Sequence, residues 1–467
     1  MKKIAILHGE LNSPLQKKAL ELLSELLLDY TMAYPYCISV SKEVDLSEYR
    51  CIYIGTSASN PEVAARSETP LTKPESYRIV VKEDVAVIEG YDDAGVLYGC
   101  MDFYNKYITA FEYPHHPVYY WKNPFEKDTL PDFYLESAPA VKDRGLWTWG
   151  HVIYDYRGYI DHLLKLKMNT LIIWNDRVPV NAAELIAYAH SCNVKVIWGY
   201  AWGWENGCHK VDLQSLFSTS ADLLKQYEEE YAALGGDGIY FQSATEIGND
   251  TLGGLLVADA VTQFVNQTAA LFYEKYPDLE IQFGLHATSV KNRLEYIERV
   301  DPRIRIVWED CGSFPFAYIP KKIENFDETV DFVRKIAVLR GENDRFGVVT
   351  KGLTKLFWPE FEHMPESLAI GVSSDLVKEN RVIRKRKIWK YLQAYWLTHA
   401  DKVYEMIRAM REAKNGDLTV TALVEDGMFE ENIMYPVALY AEMLWDNETP
   451  LSDMMTAVAL RSYVTFA

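Results

Sequence analysis

From residue 140 onward the chain repeats one motif: a short apolar run of strand character, then a longer run with helical spacing, at intervals of roughly 30 to 45 residues. The strand candidates are RGLWTWG (144–150), NTLIIWND (169–176), KVIWGYAW (195–202), GIYFQSAT (238–245), EIQFGLHA (280–287), IRIVWEDC (304–311), FGVVTKGL (346–353) and TVTALVED (419–426). Between them stand helical runs such as GYIDHLLKLK, AAELIAYAHSC, TSADLLKQYEEEYAALG and DAVTQFVNQTAALFYEKY. Several close on Gly, Asn or Pro, the residues that stop a helix. Eight strands alternating with helices predict an α/β fold whose economical form is a closed (β/α)8 (TIM) barrel. The last two strands are separated by a long helical run, 383–412.

The first 110 or so residues read differently. KKIAILHG, YRCIYIGTS, YRIVVKED and VAVIEGYD are strand-like, LQKKALELLSELLLD is an amphipathic helix, and GYDDAGVLYGCMDFYNKYI is a turn entering a second helix. This predicts a small α/β domain. A stretch rich in Pro, His and Tyr follows (FEYPHHPVYYWKNPFEKDTLPDF), where the prolines prevent regular structure. The expected division is therefore residues 1–130 for the N-terminal domain with its linker and 131–467 for the barrel.

Composition narrows the partners. Hydrophobic residues make up 49 % and charged residues 25 %, enough apolar content for a sizeable core. The net charge of −19 argues against nucleic acid, whose binding needs a basic footprint. The one basic cluster, RVIRKRKIWKY (381–391), leads into the long helical run and reads as a solvated helix face. No segment approaches the ~18 apolar residues of a membrane span, and the apolar run after Met1 is too short for a signal-peptide core. The chain as given therefore reads as cytoplasmic, although one already freed of a signal would look the same. Its six cysteines, Cys37, Cys51, Cys100, Cys192, Cys208 and Cys311, form no CxxC pair, so free thiols are expected, with no cofactor and no structural zinc. The sequence leaves a homo-oligomer open.

In such barrels, chemistry is built at the C-terminal ends of the strands. Those ends carry Trp147, Trp149 and His151; Trp174, Asn175 and Asp176; Trp198, Trp202, Trp204 and Glu205; Gln242, Thr245 and Glu246; His286; Trp308, Glu309 and Asp310; Trp358 with Glu360; and Glu425 with Asp426. Tryptophan faces complement the C–H faces of sugar rings, and Asn, Gln, His and Asp hold hydroxyls. A carbohydrate substrate is the expected ligand. Trp147, Trp149, His151, Trp174, Asn175, Asp176, Trp202, Trp204, Gln242, Thr245, His286, Trp308 and Trp358 are the candidate sugar contacts.

Glycosidic cleavage needs one carboxyl to protonate the leaving oxygen and a second carboxylate as base or nucleophile. Glu246 is the candidate acid, because Ala244, Thr245 and Ile247 bring no charge and desolvation raises a carboxyl pKa. Glu309 or Asp310 is the candidate partner, and strand alternation lets only one of the two face the site. His151, His286 and His363 have no paired metal-ligand spacing, and no P-loop, GxGxxG or GxSxG motif occurs. Cys208 followed by His209 has poor geometry for a thiolate–base pair. A non-catalytic carbohydrate-binding protein on the same scaffold is the competing class.

These residues also carry a family likeness. ESYRIVVKEDVAVIEGYDDAGVLYGCMDF resembles the small α/β domain that precedes the barrel in family-20 β-hexosaminidases and family-67 α-glucuronidases. APAVKDRGLWTWG and YIDHLLKLKMNTLIIWND look like the opening of their barrels, and YAEMLWD is similar to the closing helix. The likeness implies a glycosidase with a hexosaminidase domain-2-like N-terminal domain. It also implies Glu246 as acid and Glu309 or Asp310 as base, following the family-67 pattern. Family-20 enzymes place an Asp before that Glu to orient the substrate's acetamido group; here the position is Thr245, which puts acetamido-assisted attack in doubt. Recognition of a uronic acid would call for cations at the rim, where Arg177 and Lys351 are placed.

Overall fold

The computed structural model describes the backbone of residues 2–109, 124–149, 153, 155–174, 178–202, 212–243, 250–286, 292–310, 326–354, 375–414, 417–424 and 429–467. The chain divides into two compact units: one comprises residues up to Pro139 together with His190–Asn193 and Ala459–Ser462, the other holds the rest.

The first unit is built on a six-stranded mixed sheet: β1 (Lys3–His8), β2 (Tyr36–Ser39), β3 (Tyr49–Gly55), β4 (Tyr77–Lys82), β5 (Val85–Gly90) and β6 (Phe133–Ser137), in the order β2-β1-β3-β5-β4-β6. All pairs are parallel except β4, which runs antiparallel to β5 and β6. Helix α1 (Pro14–Thr31) begins at a capping box, with Ser13 and Gln16 each receiving the other's backbone N–H. Its buried stripe of Ala19, Leu23, Leu27 and Tyr30 has helical spacing. Helix α2 (Asp93–Asp102) is capped by Asp92, whose Oδ1 accepts the Gly95 N–H at 2.8 Å. Its glycines permit close approach to the sheet: a Cβ on Gly99 would lie 2.7 Å from Ile88 Cγ2. Strand β6 lies beyond the composition break near residue 130 and belongs to this sheet.

The second unit is a closed parallel barrel, as the eightfold repeat predicts. Its strands are β7 (Asp143–Trp149), β8 (Thr170–Trp174), β9 (Lys195–Gly199), β10 (Gly238–Gln242), β11 (Glu280–His286), β12 (Arg305–Glu309), β13 (Phe346–Leu353) and β14 (Leu418–Val424), paired in sequence order with β14 closing on β7. The protein is thus a TIM barrel with a separate small α/β domain. The helices that follow in the chain include α3 (Tyr156–Lys165), α4 (Ala182–Ser191), α5 (Ser220–Glu230), α6 (Val257–Lys275), α7 (Phe326–Ala337), α8 (Asp375–Ala413) and α9 (Tyr435–Trp445). Helix α8 is two helical pieces joined at a kink at His399, whose φ of −131° and ψ of 18° are not helical. No helix among the described residues is long and apolar enough to cross a membrane.

Strand alternation sorts the barrel's side chains into inner and outer sets. Trp147, Ile172, Trp174, Ile197, Tyr240, Val307, Val349 and Leu423 form one buried cluster inside. Toward the N-terminal strand ends lies a charged layer around Arg305, which is 3 % exposed. Its Nε donates to Glu280 Oε1 at 2.7 Å, its Nη2 donates to Asp417 Oδ1 at 3.1 Å, and Asp143 Oδ2 lies 3.8 Å from that nitrogen. Lys195 Nζ reaches Asp143 Oδ1 at 2.7 Å. Burial pushes the Asp143 carboxyl up, but the charges of Lys195 and Arg305 outweigh it and hold it below its ordinary value.

A buried carboxylate cluster at the barrel mouth

The inner face continues past the apolar cluster to the C-terminal strand ends, where it becomes polar. Two residues beyond Tyr240, Val307 and Val349 stand Gln242, Glu309 and Lys351, on three different strands. Glu309 is fully buried, and both of its oxygens are taken. Oε1 accepts from the Tyr240 hydroxyl at 2.5 Å and from Gln242 Nε2, while Oε2 accepts from Lys351 Nζ at 2.7 Å. Burial pushes the Glu309 carboxyl up. The Lys351 and His286 charges, with hydrogen bonds from Lys351 and Tyr240, outweigh that and hold it below the usual carboxylate range, so it is ionised at neutral pH.

The surroundings are shaped for this pair. Lys351 Nζ stands 5.4 Å from the ring centroid of Trp147, close enough for a cation–π contact. Tyr240 packs against Trp147 at 5.4 Å and Trp174 at 6.0 Å between centroids. Gly284 on β11 is required by space: a Cβ there would lie 2.7 Å from Glu309 Oε1 and closer still to the Tyr240 hydroxyl. His286 ends the same strand two residues on.

Asp310 is also fully buried but does another job. Its Oδ1 accepts the backbone N–H of Lys351 at 2.8 Å, and its own N–H donates to Val349 O at 3.1 Å. That tie falls where the register of β13 against β14 shifts, between Thr350 and Leu353. A ladder irregularity leaves backbone groups unpaired, and the Asp310 side chain satisfies one of them. Of the adjacent carboxylates, Glu309 is the one joined to the inner cluster.

The candidate sugar contacts separate into three groups. Trp147, Trp174, Gln242 and His286 lie on the inner face with Glu309, although Trp147 is fully buried and Trp174 is 7 % exposed, so their rings form the floor of the mouth. Trp202 and Trp308, expected at the rim, are elsewhere. Trp202 stacks on Phe241 at 3.7 Å and meets Phe272 of α6 at 5.3 Å, and Trp308 packs edge-on against Phe332 of α7 at 5.8 Å. The reason is period two: Trp308 adjoins inward Glu309, and Trp202 falls in the outward register of Trp198 and Tyr200, which pack on Tyr231. Residues His151, Asn175, Asp176, Trp204, Thr245, Glu246 and Trp358, and the side chain of Trp149, lie outside the described residues.

Tyr240 is the member of the cluster that sequence reasoning passed over. Its signal was present, since Tyr240 and Gln242 share a strand face and only their common register with Glu309 gives the phenol a role. Among the described residues, no three His, Cys, Asp or Glu side chains converge to hold a metal ion. What the cluster offers chemically is a fixed negative charge, a cation beside it, amide and phenol donors on one of its oxygens, and an imidazole near enough for its charge to act on it.

No protein-family model matches the sequence, and no curated protein matches it significantly. Solved structures do share its architecture. The β-N-acetylhexosaminidase from Bacteroides fragilis is 15 % identical with a TM-score of 0.56, the match covering all of this chain and 93 % of that one. A GH138 enzyme targeting pectin rhamnogalacturonan II is 12 % identical with a TM-score of 0.55, over 97 % of this chain. A family GH115 4-O-methyl-α-glucuronidase with specificity for decorated arabinogalactans is 12 % identical with a TM-score of 0.54, over 98 %. This chain spans 52 % and 58 % of the length of the latter two. At such identities, the likeness is one of fold: an eight-stranded parallel barrel with a small α/β domain ahead of it.

Proposed function

We propose that the protein is a glycoside hydrolase acting at the C-terminal mouth of its barrel. The observation that most supports this is Glu309, a carboxylate held ionised inside the barrel among Gln242, His286, Lys351 and a floor of indole rings. The solved structures that share the architecture include three glycoside-cleaving enzymes by name, which agrees with it. In this proposal, Glu246, which follows the strand carrying Tyr240 and Gln242, protonates the leaving oxygen. Glu309 supplies the second carboxylate, and Asp310 stays with the backbone of β13. For Glu309 to accept a proton from water, one of its three donors must yield. Tyr240 and Gln242, both neutral and both on Oε1, are the donors whose loss leaves the ion pair with Lys351 intact, and Gln242 is the nearer in sequence to Glu246.

Two of the neighbours name a sugar type, one a β-N-acetylhexosaminidase and one a 4-O-methyl-α-glucuronidase. Thr245 before Glu246 weighs against acetamido-assisted attack. Lys351 serves a uronate carboxylate only in competition with Glu309. The test is turnover of a panel of aryl glycosides by the wild type and by Glu246→Gln and Glu309→Gln, with product stereochemistry read by NMR. Loss of one positioned acid or base reduces kcat by roughly 10²-fold or more; near-normal turnover in Glu246→Gln refutes the assignment. One feature favours the non-catalytic alternative: a carboxylate with no exposed oxygen and three donors is chemically quiet. In that case, no glycoside is turned over, and Glu246→Gln changes only sugar affinity.

A further inference from the structure

Helix α8 carries a feature that the barrel mouth does not use. Its inward face is anchored by Trp389, Leu392 and Trp396, all fully buried, and Trp396 Nε1 donates to Gly352 O near the end of β13 at 2.9 Å. Beyond Trp396 toward the C-terminus, the helix descends to the start of β14. The residues before it therefore stand past the C-terminal strand ends, with Arg386 about 15 Å farther along the helix axis at the rise of an α-helix. On the outward face there, Ile383, Arg386, Lys387, Lys390 and Tyr391 are all exposed, at helical spacing.

The charges of this stripe are unusual in two ways. Arg386 and Lys390 are four residues apart, and Lys387 and Lys390 three, so the cations are neighbours on one surface and repel one another. No acidic residue stands three or four positions from any of them, and among the described residues none is ion-paired. A self-repelling trio persists on a chain of net charge −19. Beside it, Tyr391 packs on Tyr395 at 4.7 Å between centroids, which places two aromatic rings along the same side of the helix.

We propose that this stripe of α8 is a secondary binding surface for an acidic polysaccharide bearing uronate carboxylates. Carboxylates along the glycan meet the three cations, and the ring of Tyr391 takes the C–H face of an intervening sugar. A nucleic acid fits less well, because three cations release few counterions against the repulsion of the whole acidic chain. The proposal rests on the glycosidase reading only for the nature of the ligand, a glycan approaching the barrel mouth.

The experiment compares the full-length protein with the triple variant Arg386→Gln, Lys387→Gln, Lys390→Gln and with Tyr391→Ala. Fluorescence anisotropy with end-labelled polygalacturonate oligomers is the readout, with dextran, dextran sulfate and a DNA duplex as comparison probes. Binding of polygalacturonate that weakens with added salt, and at least about tenfold weaker binding by the triple variant, is expected for three exposed charge contacts. Tyr391→Ala should also weaken it, while both variants stay folded by circular dichroism and keep wild-type aryl glycoside turnover. Unchanged polygalacturonate binding in the triple variant overturns the proposal. So does equal or tighter binding of dextran sulfate or DNA, or a variant whose only change is the loss of a dimer in sedimentation. Normal turnover without stripe binding defeats this proposal alone; stripe binding without turnover of any glycoside defeats the hydrolase reading alone.

Discussion

Replacing Lys351 by Met removes the ammonium that compensates Glu309 and keeps most of the side-chain volume. Both partners are buried, at 4 % and 0 % side-chain exposure, so solvent does little to replace the lost charge. Breaking a buried pair by removing one member costs about 3–5 kcal/mol, and that range is expected at pH 7. The pH dependence is the sharper signature. In the wild type, the Glu309 carboxyl lies below its ordinary value, so its contribution is full above the unfolded value of ~4.3 and disappears only as pH falls through the folded one. In Lys351→Met, burial dominates and the folded pKa rises above the unfolded value. The sign then reverses: the variant loses stability as pH rises above ~4.3, by about 1.4 kcal/mol for each pKa unit of elevation. Urea denaturation followed by tryptophan fluorescence from about pH 4.5 to about pH 8 measures this, with the deficit against wild type growing toward the alkaline end. Adding Glu309→Gln to Lys351→Met should flatten the pH dependence and recover part of the loss. A deficit independent of pH, or a double variant no more stable than the single one, refutes the account of a carboxylate held ionised by its lysine.

Two further outcomes follow from the packing. Gly284→Ala drives a methyl group against Glu309 Oε1 and the Tyr240 hydroxyl, so it should destabilise by about 1–3 kcal/mol and lower kcat on whatever glycoside is turned over, measured by denaturation and initial rates. Trp202→Leu and Trp308→Leu remove rings from the layer between barrel and helices. They should reduce stability by about 2–4 kcal/mol while leaving the affinity of the folded protein for sugar unchanged in titration calorimetry.

Much of the architecture was legible because the barrel repeats a single local rule. The eight candidate strands fall on β7 to β14, and even the two separated by α8 pair as the closure requires. Strands β2 and β6 were not legible: Tyr36–Ser39 is a four-residue edge with no alternation, and Phe133–Ser137 follows directly on a proline-rich stretch. The mouth was legible only in part. Listing every aromatic and acid near a strand's end ignores the pleat, so Trp308 and Glu309 were offered together although adjacent residues face opposite ways. Tyr240 was missed for the complementary reason, since a phenol in mid-strand looks like core until its hydroxyl is seen on Glu309 Oε1. The tie from Asp310 to the Lys351 N–H depends on a register shift between two strands far apart in sequence, which no local pattern announces.

The ionic layer around Arg305 has a consequence for access. With Asp143, Lys195, Glu280 and Asp417 knitted across the N-terminal strand ends and a buried apolar layer above them, that end of the barrel is filled by side chains. Anything that reacts at the mouth therefore does not pass along the barrel axis to that end. A cleaved ligand, like an uncut one, leaves on the side from which it came.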